Sequence, residues 1–375
     1  MTLLALLLAL ATGGCDHTPP PPAAEAGPQL VENLDGTCQV RVVPTGLMIR
    51  AREEGIPDPG PMVARSMEGV YFTNAAYERG VVLAWDEEGD FLARVGGLGE
   101  GPEEFGAIAT LRPGSEGGVH VINGAGQWSH IDADLSVRTL GSHPGLIHAS
   151  RSNVALLSDT VVVVVETLSQ GQPSRGAVLA WTEDRIEVVG EFETGHDEEA
   201  SWMAAMAGVA SLGQEDSFWT GPWITGEGTY RLEERGLDGR LLRSLDRSHP
   251  WDLPGPRPGG DGLAAVRVES LSPGVALLGV TVPPRRPGVG DSRAYYEILD
   301  TRGEERLAIG TRRGDAWAPR LAFTGVVPEY ESTGMVYSYH RHIEAGLPSI
   351  LVSELFLEEP GSEEGEAACR AVPGA

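Results

Sequence analysis

The sequence predicts an all-β fold, a six-bladed β-propeller in which each blade is a three- to four-stranded antiparallel sheet. Three observations predict it. First, a short strand pattern recurs six times: GVYFTN at 69, GVHVIN at 118, TVVVVVE at 160, SFWTGPW at 217, GVALLGV at 274 and GMVYSYH at 334. The intervals are 49, 42, 57, 57 and 60 residues, enough for the roughly 40 to 50 that a four-stranded blade needs. Second, each copy but the last is followed by two more strand-like segments joined by a tight turn, as in VVLAWDEEGDFLARVG and YYEILDTRGEERLAIG. Glu-Gly, Asp-Gly and Arg-Gly pairs sit where a hairpin needs a positive φ. Third, no stretch beyond the leader shows sustained helical periodicity; SWMAAMAGVASLG (201–213) is the nearest, and it is short. A small sheet cannot bury both faces alone, so repeated sheets stack on one another. The regular recurrence disfavours the alternative, a β-sandwich followed by a second β domain.

The chain opens with TLLALLLALATGG (2–14), an apolar run too short for a comfortable transmembrane helix, ending in small residues before Cys15. The run resembles the signal peptide of a bacterial lipoprotein, with Cys15 as the lipidated residue. Thr12 stands where that signal usually has leucine, and no basic residue precedes the run. An ordinary secreted protein cleaved near Gly14 is the alternative. Residues 1–15 are therefore read as a signal segment. Residues 16–35, with DHTPPPPAAEAGPQ, are read as a proline-rich tether, and 36–372 as the propeller.

Charge and cysteine usage narrow the partners. The chain has 54 acidic and 28 basic residues, a net charge of −26, and no lysine at all. So acidic a surface argues against nucleic acid and would favour cationic partners. A membrane contact is expected through the N-terminal lipid only, and the protein is expected to be a monomer. Beyond Cys15 only Cys38 and Cys369 remain, near opposite ends of the folded part; no zinc spacing is present. In an oxidising compartment they are a candidate disulfide. CQVRVVP (38–44) has strand character and stands before the first repeat, while the sixth repeat lacks a closing strand. Pairing CQVRVVP with VSELFLEE or AACRAV would close the ring and bring the two cysteines together, with Cα atoms about 4.4 to 6.8 Å apart.

RVGGLGEGPEEFGAI (94–108) has the glycines of a phosphate loop but gives G-x-G-x-G followed by a proline and two glutamates. No apolar helix follows on which an anion could sit. It reads instead as a crossover from the outer strand of one repeat into the next. From Gly69 to Gly141 the motifs GGLGEGPEEF, LRPGSEGGVHVING and HIDADLS resemble the NHL-type six-bladed propeller repeat of bacterial exported proteins and lipoproteins. The family's strand-end aspartate corresponds to Asn74 and Asn123 here. The resemblance implies a propeller; its function is open, because such propellers serve as binding platforms, lyases and lactonases.

Chemistry is sparsely signalled. Propellers of this kind hold metals in the central channel, which makes Asn74, Asn123, Glu166, His340 and His342 the candidate ligands of a divalent ion. HRHIE puts His340 and His342 on one side of a strand. Against this, amides are weak ligands and strand-end Asn ordinarily caps turns. No G-x-S-x-G elbow occurs, and lysine chemistry is excluded. Trp202, Trp219, Trp223 and Trp251 cluster in the fourth and fifth repeats. Trp219, Trp223 and Trp251, with His340, are the candidate binding residues on the channel or a loop face, for a stacked sugar or aromatic ligand, unless they simply pack the core. GHDEEASW (195–202) and Arg313-Gly314-Asp315 read as solvated turns, and SHPWDLPGPRPGGDG (248–262) as a long face loop. The reading that results is a non-catalytic, exported binding platform for a protein, peptide or glycan, with no cofactor. The alternative is a metal-dependent hydrolase or lyase centred in the channel.

Overall fold

A computed structural model describes residues 32–36, 38–99, 101, 103–147, 149, 153–166, 175–182, 185–193, 208–210, 216–226, 229–248, 265–272, 274–282, 293–312, 320–323, 334–340, 348–360 and 369. The architecture is an all-β propeller of antiparallel sheets. Two strands, β1 (Glu32–Asp35) and β2 (Gln39–Arg50), precede the first sheet. That sheet contains β3 (Pro59–Arg65), β4 (Tyr71–Ala75), β5 (Val81–Trp85) and β6 (Phe91–Gly96). The second holds β7 (Ile108–Pro113), β8 (Val119–Asn123), β9 (Gln127–Ile131) and β10 (Val137–Ser142). The third holds β11 (Val154–Ser158), β12 (Val161–Glu166), β13 (Arg175–Thr182) and β14 (Arg185–Glu193). The fourth holds β15 (Gly208–Ala210), β16 (Ser217–Gly226), β17 (Thr229–Gly236) and β18 (Leu241–Ser248). In the fifth, β19 (Ala265–Ser272), β20 (Val275–Val282), β21 (Arg293–Asp300) and β22 (Glu305–Arg312) are joined at the edge by β1. The sixth orders β2, β25 (Ser349–Glu358), β24 (Gly334–His340) and β23 (Arg320–Phe323).

Burial explains why one strand per sheet was so legible. The recurrent pattern falls on β4, β8, β12, β16, β20 and β24, the second strand of each sheet. Such strands are sandwiched between neighbouring sheets, so all five residues of β8 and four of the five of β4 are buried. Aliphatic and aromatic residues dominate them, with a few buried polar residues such as Thr73 and His120, whereas the outer strand β6 alternates buried and exposed residues. Some first strands are as short as GVA in β15 and RLAF in β23, too short to leave a pattern.

Apolar clusters fill the gaps between consecutive sheets. Phe72, Val82 and Val95 meet Leu111, Val119 and Val121 between the first and second. Ile122, Trp128 and Leu140 meet Val154, Val162 and Leu179 between the second and third. At the other end of the chain, Tyr337, Ile350 and Val352 of the sixth sheet pack on Val63, Leu83 and Trp85 of the first. First strands also touch around the assembly, β3 beside β7 and β23 beside β3. RVGGLGEGPEEFGAI joins β6 to β7 as a crossover. Its Phe105 is buried in the gap it spans, while Glu104 accepts a hydrogen bond from the Gly101 amide at 2.8 Å. Glu104 thus ties the loop to itself.

At the termini the structure corrects one boundary. Residues 32–35, assigned to the tether, form β1 and pair with β22, Asn33 opposite Gly310. Asn33 anchors the strand, accepting from the Val40 amide at 2.7 Å and from the Tyr296 hydroxyl at 2.9 Å. β2 pairs with β25 over its length, Val40 opposite Leu357 and Ile49 opposite Ile350. Cys38 and Cys369 form a disulfide with Cα atoms 5.8 Å apart. Among the described residues no helix is long and apolar enough to cross a membrane.

Candidate functional site

The site that the structure builds lies on the propeller face formed by the β7–β8, β9–β10 and β11–β12 turns. In β8 the side chains alternate: Val119 and Val121 face the first sheet, His120 and Ile122 the third. His130 sits directly across from His120 in β9, and two residues before it Trp128 shares its side of the sheet. The two imidazoles lie with ring centroids 4.4 Å apart. Asp159, in the turn after β11, closes the group from the neighbouring sheet.

The hydrogen bonds assign the protons. Trp128 donates its indole N–H to His120 Nδ1 at 2.9 Å, and an indole can only donate. His120 therefore carries its proton on Nε2 and donates it to Asp159 Oδ1 at 2.8 Å. Burial pushes this ring below its ordinary pKa, the bond to Asp159 opposing, so His120 is the neutral partner of a charged carboxylate. Asp159 also accepts from the Ser115 amide (2.8 Å), the Ser115 hydroxyl (3.0 Å) and the Glu116 amide (2.7 Å). Burial alone would raise its pKa; the bonds from His120 and Ser115 outweigh that and hold it well below the usual carboxylate range.

His120, His130 and Asp159 bring nitrogen and oxygen atoms within 4.8 Å of one another, as in a metal centre. The donor set does not fit one. His120 has no lone pair left, and Asp159 has four donors on its two oxygens. What the arrangement does is clamp the β7–β8 turn to the β11–β12 turn. The turn itself depends on Gly118, at φ +64°, where a Cβ would sit 2.2 Å from the Ile131 carbonyl oxygen. Glu68, from the β3–β4 turn of the first sheet, receives the Gly118 amide at 3.3 Å. Burial opposes, but hydrogen bonds from Ser66 and Gly118 and the nearby His130 lower the pKa of Glu68.

In front of the clamp lies a cavity of about 420 Å³. Glu116, His130, Asp132, Asp134, Ser136 and Arg138 line it. His130 is 6 % exposed and both its nitrogens face oxygens, Nδ1 to Asp132 Oδ1 at 2.9 Å and Nε2 to the Gly117 carbonyl at 3.1 Å.

The residues expected from sequence lie elsewhere. Asn74 and Asn123 end their strands on the opposite face. Asn74 accepts from the Met62 amide at 2.9 Å. Asn123 accepts from the amides of Ala125 and Gln127, both at 2.9 Å. The Asn123 oxygen is thus spent on its turn, the role such asparagines ordinarily play, and the Asn74 oxygen on the irregular stretch of β3 beside it. Trp219 is no pocket wall: it is buried between the fourth and fifth sheets, with the Arg243 guanidinium 4.9 Å from its ring centroid. Glu166, Trp223 and His340 stand in β12, β16 and β24, but their side chains lie outside the described residues, as do Cys15, Trp202, Trp251, His342, GHDEEASW, Arg313-Gly314-Asp315 and the 249–262 loop. Sequence reasoning passed over His120 and His130. Their signal was a histidine at a core-facing position in each of two consecutive strands, and only the register shows that they meet.

The sequence matches no protein-family model and no curated protein. The fold does have solved counterparts. A Bacteroides fragilis protein described as exported superposes with a TM-score of 0.50 at 10% identity, over 86% of this chain and 96% of that one. BamB from Moraxella catarrhalis gives 0.38 at 12% identity, over 86% and 98%. A protein of unknown function from Bacteroides caccae gives 0.36 at 13%, over 77% and 88%. At such identities the likeness concerns the fold.

Proposed function

We propose that this chain is an exported, lipid-tethered, six-bladed β-propeller that serves as a non-catalytic binding platform. The observation that carries the platform reading is the polar cavity on one face, walled by turns from adjacent sheets that the Asp159 clamp holds rigid. Groups held in saturated hydrogen bonds suit recognition, which needs fixed geometry, better than they suit proton or metal chemistry. The metal-dependent enzyme alternative now rests on Glu166, His340 and His342 alone.

Six sheets with an apolar cluster between the sixth and the first, together with β2 pairing to β25, support the closed six-bladed ring. A closed ring leaves no apolar sheet face open to solvent. The NHL-type resemblance falls on the first two sheets and agrees with this reading. Export is supported by the signal-like run before Cys15, by the disulfide, and by the fold-mate described as exported. Two experiments test the proposal. Cys15→Ser should move the protein from the membrane to the soluble fraction, and a wild type that is already soluble and uncleaved refutes the anchor. A photoreactive residue at Ala133, on the rim of the cavity, should trap a partner in cells when one on the opposite face, at Gly124, does not. Absence of any adduct at Ala133 refutes the platform.

A further inference from the structure

We propose that the face opposite the clamp rests on a lipid bilayer, with Tyr77, Leu98 and Ile147 entering its interfacial layer. The inference builds on the tether reading and adds a second membrane contact, where composition alone gave the N-terminal lipid only. The three side chains stand on separate loops of one side. Tyr77 is in the β4–β5 turn and Leu98 in the β6–β7 crossover, both 68 % exposed, and Ile147 follows β10 at 45 %. Backbone contacts join these loops into one surface. A Cβ on Gly80 would sit 2.2 Å from the Gly97 carbonyl oxygen, so the turn that carries Tyr77 lies against the crossover. The Gly124 amide of the β8–β9 turn donates to the Ala107 carbonyl of the crossover at 2.7 Å, and the His143 amide to the Gly126 carbonyl of that turn at 3.0 Å. Ala107, Gly124 and Ala125 are exposed on the same surface, small residues between which the large side chains project.

The chain that precedes the fold says what covers this face. Outer strands run out on this side, as β6 does where its crossover begins. In the fifth sheet β22 is the corresponding strand, and Glu32 pairs with Thr311, one residue from its end. The segment between Cys15 and Glu32 therefore leaves the fold here. Residues 16–31 reach at most about 55 Å, so a lipid on Cys15 holds this face at the bilayer. Tethering raises the effective concentration of a contact that would be weak alone. Charge agrees. Among the described residues of these loops, Glu78 pairs with Arg94 at 2.7 Å, Glu104 accepts from the Gly101 amide, and exposed Glu103 is balanced by exposed Arg79. The clamp face exposes Glu87, Glu88, Glu116 and Asp134. Lipid headgroups carry phosphate, so a chain of net charge −26 approaches them best where its acids are paired. Tyrosine suits the interface, with an apolar ring and a polar hydroxyl. Separate protrusions suit a fluid layer that closes round each one, where a protein partner would need a pocket for each.

The test places the full chain on phosphatidylcholine vesicles with brominated acyl chains. A bimane label on Ala125→Cys should be quenched at least threefold more than one on Ala133→Cys, and Tyr77→Ser/Leu98→Ser/Ile147→Ser should abolish the difference. Equal quenching at the two positions, or no effect of the triple variant, overturns the inference. Raising salt to about 0.5 M should leave the difference unchanged, because apolar insertion is not screened; its loss would show attraction of charge alone and overturn the inference too. The triple variant should keep the wild-type unfolding midpoint; if it does not, Leu98→Ser alone and the comparison of Ala125 with Ala133 decide. A concentration-dependent dimer that the triple variant loses, or a protein adduct at Gly124 in cells, would give the face to a protein and refute the bilayer. If the chain is anchored and Ala125 is not quenched, the contact falls and the tether stands. If the wild type is soluble, the same labels report on added vesicles: quenching at Ala125 alone keeps the contact and drops the tether, and no quenching drops both.

Discussion

Removing the Cys38–Cys369 bridge should cost this protein several kcal/mol, and the structure says why. The bridge spans 331 residues and ties the hinge between β1 and β2 to the segment after β25. On the folded side its ends are already placed by backbone bonds at 2.7 Å, from the Cys38 amide to Leu307 and from the Cys369 amide to Leu357. The bridge therefore adds little order to the native state and acts chiefly on the unfolded chain. Loop-closure entropy for so long a loop gives a ceiling of about 6 kcal/mol at 25 °C. Residual compactness of the unfolded chain lowers this, so the expected loss in Cys38→Ala/Cys369→Ala is about 4 kcal/mol. With a urea slope of about 4 kcal/mol/M for a chain of this size, the midpoint should fall by roughly 1 M. Tryptophan emission follows it well, because Trp85, Trp128 and Trp219 are buried in three different clusters. The slope should also rise in the variant, whose unfolded state is less compact. A midpoint within about 0.2 M of wild type, at equal slope, refutes the entropic account. Alkylation of Cys38 and Cys369 in unreduced, urea-unfolded protein refutes the bridge itself.

Asp159→Asn should destabilise by about 2 to 4 kcal/mol, since it weakens four hydrogen bonds and leaves buried His120 facing an amide. The clamp also predicts acid sensitivity. Both His120 and Asp159 have lowered pKa values, so in each case the unfolded chain takes up the proton first. Stability should be full above the ordinary histidine pKa, decline as unfolded histidine protonates, and decline further below about pH 4; in Asp159→Asn urea midpoints should lose the slope below about pH 4 and keep the histidine slope, since buried His120 loses the carboxylate that favours its charged form. Phe105→Ala, which empties the gap under the β6–β7 crossover, should cost about 3 to 5 kcal/mol, and a shift in melting temperature of less than about 2 °C would contradict the burial. Gly118→Ala should lower stability by about 2 kcal/mol or more through the strained φ and the clash with Ile131, where a neutral effect by chemical denaturation would contradict the turn geometry.

Local chemistry in the sequence determined much of this protein. Apolar runs of about five residues at repeat spacing specify strands buried on both faces, and Gly-containing turns set the hairpins. GVHVIN and GVYFTN were legible because a strand between two sheets is mostly apolar and recurs at the repeat spacing. RVGGLGEGPEEFGAI was legible because its acids and glycines suit a crossover and not a phosphate. The cysteine pairing followed from a strand without a sheet and a sheet without a strand. The tertiary structure decided what depends on register and on neighbouring sheets. β1 reads as tether because a four-residue segment with three polar side chains acquires strand form only against the free edge of β22. Trp219 reads as a candidate pocket wall although core packing is the usual use of such residues, and only the packing of the fifth sheet on the fourth shows it buried. His120, His130 and Asp159 are separated by turns and belong to two sheets; their meeting depends on the opposition of β8 to β9 and on how the third sheet packs on the second. Side-chain alternation is encoded within a strand, but which two strands face each other is settled by the burial of whole sheets, and that information is spread over the chain.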